Sequence, residues 1–367
     1  MYQLEPAWRE LYLQSDSSSV FSSWDWTITW WKHFQKYFPE GDTAITILTA
    51  WKGSLLVGLA PFTYPKRQTY HTKRLRPVGD LEGGEGMTDE FPLLTRRDCY
   101  VEVVTGFRNY LANPPKANRW DCAYLRSMDS VLSDETCGHL GAKTSSHLSA
   151  PRIARLPDSW DQFYRSLSPS MKTNIKYYPR KLEKSHYNWK FRLASTVDEI
   201  RAAIPDLIRL HHERAGCRRG VKHCSHIPTA LHEDFFTEVM ITLAQKGEAW
   251  IGFIEIDGVT IASQAFMQRQ NIVTFYYSGF DVRYYDYSPL LIISTEAIRH
   301  CINVGADSVN FLPDTLTASH QPHMISLWKS RWGAVSTGVT WEIAIYAPHA
   351  RASAVRMIHT ARTALQL

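Results

Sequence analysis

The stretch YYSGFDVRYYDYSPLLI, Tyr276 to Ile292, joins two regular elements through an unusual turn. A run of apolar and aromatic residues stops at Ser278-Gly279. Ser288-Pro289 then opens a helix, with Ser288 suited to the N-cap and Pro289 to the first helical position. Leu290, Ser294, Ala297, Ile298, Cys301 and Ile302 follow at the spacing of one buried helix face. Between the two elements stand three tyrosines, an arginine and two aspartates, not the Gly and Asn of a plain turn. A strand that runs into a helix start brings free N–H groups and the positive end of the helix dipole to a sheet edge. That arrangement suits an anion such as a phosphate. It is also what a capped helix after a loop looks like, and both readings stand on these residues.

The rest of the chain alternates in the same way. Residues 1–40 read as helical around SSWDWTITWWKHF. TAITILTAWKGSLLVGLAPFTYP reads as two strands joined at Lys52-Gly53, and AWIGFIEIDGVTIASQAFMQRQNIVTFYYSGF as three, two of them joined at Asp257-Gly258. Residues 98–112 and 130–140 read as helices, RWDCAYLRSM as a strand and SAPRIARLP, near 150–157, as a connection. Two helices follow, the second starting after Ser168, then the strand YNWKFRLAST. VDEIRAAIPDLIRLHHERAG is amphipathic, with Pro205 as a kink or a first-turn residue. Further helices are expected at TALHEDFFTEVMITLAQKG, 288–304, HMISLWKSRWG and 349–366, with strands at DSVNFLP and STGVTWEIAIY. The two halves share one sketch of helices, a hairpin, a helix and a strand, which points to a duplicated α/β fold.

With 367 residues and 44% hydrophobic content the chain is long enough for two cored domains. A net charge of +5 suits an anionic ligand and does not by itself argue for nucleic acid. Six scattered cysteines form no dense framework, so reduced thiols and a cytoplasmic location are expected. The N-terminal stretch has acidic residues and no apolar core, unlike a signal peptide, and no apolar run is long enough to span a bilayer. HHERAGCRRGVKHCSH gathers His211, Cys217, His223, Cys224 and His226, but its spacing matches no known zinc finger or ribbon, and no metal is expected.

The ordered set of motifs resembles the CelD/BcsL-like acetyltransferases of the GNAT superfamily, in the branch related to the FemAB peptidyltransferases. It comprises FYYSGFDVRYYDYSPLLIISTEAIRHCINVGADSVNFLPD, LWKSRWG, SMKTNIKYYPRKLEK, LIRLHHERAG, and in the first half WDWTITWWKHF, LLVGLAPF and LRPVGD...TDEFPLL. The chain departs from the pattern at Leu290, Pro313 and Trp328, and lacks the superfamily's Gly-rich pyrophosphate loop. The resemblance implies two tandem GNAT-like α/β domains, residues 1–150 and 151–367, the second holding acyl-coenzyme A. It implies direct attack on the thioester by an amine of a small molecule or amino sugar, with backbone N–H groups stabilising the oxyanion and a base taking the proton. The donor would lie along Tyr277, Ser278, Gly279, Arg283, Tyr287, Ser288 and Leu290.

For the base, Asp314 stands first, because it follows a strand at the end where α/β sites gather. His212 and Asp281 are the other catalytic candidates. Arg214, Tyr284, Lys329, Trp332 and Asp89 are candidates for the acceptor. Each also has an ordinary structural role open to it: a turn for Asp314, a helix-end interaction for His212 and Arg214, a solvated ammonium for Lys329. The basic run Lys172, Lys176, Arg180, Lys181 and Lys184 makes a charged helix face, and in the FemAB relatives the acyl donor is aminoacyl-tRNA. A tRNA-dependent peptidyltransferase is therefore the first alternative, and a non-catalytic pair of domains binding a carbohydrate or partner is the second.

Overall fold

The computed structural model describes all residues except 16–18, 39–44, 65–72, 82–85, 92, 115–119, 128–144, 150, 218–224, 314–323, 337–338, 349–351, 354 and 358–367; the side chains of 125–127, 145–149, 324–325 and 339–343 are also not described. The chain divides into two compact units, one of Met1–Ala150 with Gly338–Leu367, the other of Pro151–Thr337. The C-terminal segment belongs to the first unit and not, as expected, to the second.

The first unit contains α1 (Glu5–Gln14), α2 (Trp24–Phe34), β1 (Ile45–Lys52), β2 (Leu55–Thr63), β3 (Arg74–Pro77), β4 (Leu94–Thr95), α3 (Tyr100–Ala112), β5 (Cys122–Ser127) and β6 (Ser145–Ser149). The last strand of the chain, β14 (Val339–Tyr346), lies between β5 and β6 in its sheet. Gly53 closes the β1–β2 hairpin at φ 63°, a conformation glycine reaches without a Cβ penalty. The tryptophan-dense helix is core: Trp24, Trp26 and Trp30 are buried. Their indoles are anchored, Trp30 to the Gly86 carbonyl at 2.8 Å and Trp26 to Thr88 Oγ1 at 3.0 Å. The expected helix at 130–140 lies outside the described residues, as does most of that at 349–366.

The second unit runs β7 (Pro151–Arg155), α4 (Trp160–Ser166), α5 (Pro169–Lys184), β8 (Trp189–Ala194), α6 (Val197–Gly216), α7 (Ala230–Ala244), β9 (Ala249–Ile256), β10 (Val259–Arg269), β11 (Ile272–Phe280), α8 (Pro289–Asn303), β12 (Ser308–Pro313), α9 (Met324–Arg331) and β13 (Val335–Ser336). Its sheet order is β13-β7-β12-β11-β10-β9-β8, with β11 and β12 parallel. Residues 151–155, read as connection, are a strand. They pair with β12 and β13, long-range partners that no local pattern reveals. The segment read as one strand after Gly333 is two, β13 and β14, in different sheets.

Local chemistry explains the helices. Ser168 caps α5, its hydroxyl accepting from the Met171 N–H, with Pro169 in the first turn. Thr196 and Glu199 form a capping box that starts α6, so Pro205 falls inside the helix, which continues to Gly216. Asp257 and Gly258, at φ 51° and 82°, form the β9–β10 turn that the Asp-Gly pair requires. The core joins Phe163, Met171, Ile175 and Leu182 to Phe266, Phe275, Ile293, Ala297 and Ile298, so α4, α5 and α8 share one face of the sheet. Strand neighbours point to opposite faces. Phe275 faces this core, while Tyr276 stacks with Phe236 of α7 at 6.3 Å.

Candidate functional site

The site forms where β11 ends. Strands β11 and β12 pair in register over Ile272–Thr274 opposite Ser308–Asn310, and the pairing stops there. Beyond it the two parallel strands part, so the second half of β11 has a ladder partner in β10 and none in β12. The β10–β11 ladder shifts register between Gln264 and Phe266. Gln264 stands opposite Ser278 and Phe266 opposite Phe275, so Ala265 opposes both Tyr276 and Tyr277. This is a β-bulge, which re-aims side chains and twists the strand locally. Its consequence is visible in the two tyrosines, whose rings stack at 3.9 Å and both approach Phe236.

Past the bulge, Gly279 lies against α6. A Cβ built there would sit 2.2 Å from the His211 nitrogen and 2.2 Å from the Leu210 carbonyl carbon, so only glycine fits. This close approach places the end of α6 over the end of β11. His211 is fully buried. Its Nδ1 donates to the Ser278 carbonyl at 3.0 Å, while its Nε2 accepts from the His226 backbone N–H at 3.0 Å. The backbone N–H can only donate, which fixes the tautomer. Burial pushes the His211 imidazole down to about 4, so it is neutral at pH 7 and locked as a strut. His226 stacks on Tyr277 at 5.4 Å, and its imidazole is lowered by burial and then by Arg214.

Arg214, one turn beyond His211, donates to Ser278 Oγ at 2.8 Å and lies 5.8 Å from the Phe280 ring. Among the described residues it forms no ion pair. Burial without a countercharge lowers its guanidinium to about 10. The sequence offered His212 and Arg214 at this helix end, and Arg214 was legible as a candidate, whereas it is His211, three residues before Arg214, that shares its helix face. The role of His211 in bracing Ser278 was not legible, because it depends on β11, 67 residues away.

The turn after β11 is a 3-10 helix over Val282–Tyr287. Asp281 caps it by accepting from the Arg283 N–H at 2.9 Å, and also binds the Arg283 side chain. The Arg283 guanidinium holds the Asp281 carboxylate below its ordinary range. That makes Asp281 a cap and a counter-ion and removes much of its capacity as a base. Tyr284 and Tyr287 pack edge-on against Tyr187 at 5.7 and 5.9 Å. Lys181 of α5 donates to the Asp286 carbonyl at 2.8 Å and lies 5.1 Å over the Tyr287 ring. The tyrosines and Lys181 thus tie the turn to the body of the unit.

Ser288 occupies the N-cap position of α8, but in the left-handed conformation at φ 46°, and its hydroxyl makes no cap bond. The N-terminus is also poorer in free donors than the sequence suggested. The Ser288 N–H goes to the Tyr285 carbonyl, Pro289 has none, and the Leu291 N–H goes to the Ser288 carbonyl. Among the described residues this leaves the N–H of Leu290.

At the end of β12, Leu312 adopts φ 63° and its N–H goes to Asn310 Oδ1 at 2.8 Å. Lys329 is buried, not solvated, and its ammonium donates to the carbonyls of Leu312 and Pro313 at 2.8 and 2.9 Å. Trp332 is fully buried. His212 is exposed, with Nε2 2.7 Å from the Ile227 carbonyl. Asp89 is exposed in the first unit, and Asp314 lies outside the described residues. Tyr277, Ser278, Gly279 and Arg214 are therefore brought together, with Arg283, Tyr284, Tyr287, Ser288 and Leu290 next along the chain. His223 and Cys224 lie outside the described residues, among which no three His, Cys, Asp or Glu side chains could share a metal. No described helix is long and apolar enough to cross a membrane.

Residues 169–321 match the family model described as Acetyltransferase (GNAT) domain. No curated protein matches the chain. Among solved structures, FemX superposes with a TM-score of 0.64 at 9% identity, covering 92% of this chain and 95% of that one. The C-terminal domain of a putative lysylphosphatidylglycerol synthetase from Agrobacterium fabrum gives 0.57 at 8%, covering 97% and 95%. L-PGS from Bacillus licheniformis gives 0.51 at 12%, covering 92% and 95%. At these identities the likeness is one of fold alone, and the link to a GNAT domain rests on the match of residues 169–321.

Proposed function

We propose that the second unit transfers an acyl group, acetyl first among them, from acyl-coenzyme A to an amine of a small molecule or amino sugar. The observation that carries this reading is the parting of β11 and β12 beyond Thr274 and Asn310, beside the bulge at Tyr276 and Tyr277. Parted strands expose backbone donors and acceptors to which an extended amide-bearing donor can hydrogen-bond like a strand. Acyl-coenzyme A supplies the activated thioester. The chain's residues supply position and charge. Lys181 and the Leu290 N–H lie at the turn where the donor's phosphates would rest. Arg214 holds an anionic group, with Ser278 fixing its orientation. Lys329 pins the carbonyls of Leu312 and Pro313 that end β12, and the base in this reading is Asp314, the next residue in the sequence.

The test is thermal unfolding of the full chain with acetyl-coenzyme A, longer acyl-coenzyme A esters and free coenzyme A. A ligand that binds the folded state raises the midpoint by mass action, with about 2.7 kcal/mol expected at a hundredfold excess over Kd. No shift with any thioester at millimolar concentration would sink the reading. A second reading, transfer from aminoacyl-tRNA, is favoured by the likeness in fold to FemX and by the exposed Lys176 and Arg180 of α5. It requires tRNA binding that weakens steeply with salt.

A further inference from the structure

On the α4, α5 and α8 side of the second unit lies a cleft of about 520 Å³, lined by none of the residues assigned above to acyl transfer from acyl-coenzyme A. Its aromatic wall is Trp160, Tyr164 and Trp189, all half-buried. Its polar groups are of both signs and are incompletely satisfied. Arg299 lies 4.6 Å over the Trp160 ring and binds Glu296 at 3.2 Å, yet its Nε is buried with no hydrogen-bond partner among the described residues. Pro179 has no N–H to give the Ile175 carbonyl one turn earlier, and both residues line the cleft. At the rim, Arg180 and Glu183 are exposed and make no ion pair among the described residues. Glu296 begins seven residues into α8, roughly 10 Å along the axis from its start. The cleft is thus displaced from the turn where the donor phosphates were placed.

These features select a ligand class by exclusion. A simple anion meets Glu183 and Glu296, and a simple cation meets Arg180 and Arg299. A hydrocarbon leaves the buried Arg299 Nε unsatisfied, which costs about 1–3 kcal/mol. A sugar ring meets all three conditions, since its C–H face packs on an aromatic ring while its hydroxyls both donate and accept. The volume falls within the roughly 300–1,000 Å³ of small-molecule sites. We propose that this cleft binds a saccharide, with Trp160 as the stacking surface and Glu296, Arg299 and Arg180 as partners for ring hydroxyls. The proposal does not depend on the acyl-transfer reading.

The experiment is ligand-observed NMR and tryptophan fluorescence on the full chain with cellotetraose, chitotetraose and maltotetraose. We expect at least one to bind with a Kd in or below the low millimolar range. Arg180→Ala, at an exposed position that the fold does not need, should weaken it about tenfold, the size of one charge-assisted hydrogen bond. Trp160→Leu should weaken it by at least as much. In both variants the midpoint shift caused by acetyl-coenzyme A should remain, which separates failure of this proposal from failure of the acyltransferase reading. Absence of binding by all three sugars at 10-fold above that range, or binding unchanged in both variants, would overturn the proposal. Competition by free glycine or lysine would also overturn it, because the site would then be one for zwitterions.

Discussion

Two arginines, Arg214 and Arg283, lie near the end of β11 and differ in what surrounds them. Arg283 is exposed and its guanidinium is engaged by Asp281 two residues away. Arg214 is held by the neutral Ser278 hydroxyl, beside a buried neutral histidine, with no carboxylate among the described residues. The first is a local device that shapes a turn. The second is a partly buried charge with no counter-ion among the described residues, a cost that nothing described there offsets. Charge at a turn is therefore a poor guide to a binding site, and unpaired charge at a helix-strand crossing a better one.

Substitutions can break this comparison. Gly279→Ala should have the largest effect, because its Cβ would overlap the backbone of α6. We expect a loss of about 3 kcal/mol or more, read as a lower urea midpoint. A wild-type midpoint would mean that α6 does not press on β11. A pH series gives the next largest effect. His211 is lowered in the folded state to about 4 from 6.5. Between those values the unfolded chain binds the extra proton, so stability is full above about pH 6.5 and falls as the pH drops towards 4. The span corresponds to about 3 kcal/mol, and His211→Gln should flatten it. A profile unchanged in that variant would remove His211 as a buried neutral strut.

A ligand series sharpens the contrast directly. Arg214→Gln should lose about tenfold or more in the affinity read from the acetyl-coenzyme A or acceptor response, and Arg283→Ala less than about twofold. The reverse order would return the anion site to the turn. Smaller still, Asp281→Ala should cost about 1 kcal/mol through the lost cap of the 3-10 helix, with its whole effect on stability. Ser288→Gly, at a left-handed residue, should be neutral or stabilising by up to about 1 kcal/mol. A large loss there would show that the Ser288 hydroxyl has a role beyond the backbone.

Much of this was legible in the chain itself. Asp257-Gly258 and Lys52-Gly53 announced their hairpins, Ser168-Pro169 and Ser288-Pro289 their helices, and the periodic Ile and Ala of α8 its buried face. These signals are local, so neighbouring residues suffice to write them. The tertiary structure alone decided that 151–155 is a strand, that 338–367 returns to the first unit, and that Tyr276 and Tyr277 share a face. It also turned Asp281 into a cap, buried Lys329 against two carbonyls, and left Arg214 with no counter-ion among the described residues. Each of these depends on partners tens of residues away, or on a one-residue slip in a ladder. Sequence spacing sets which face a residue can take on its own element, and only packing sets what that face meets.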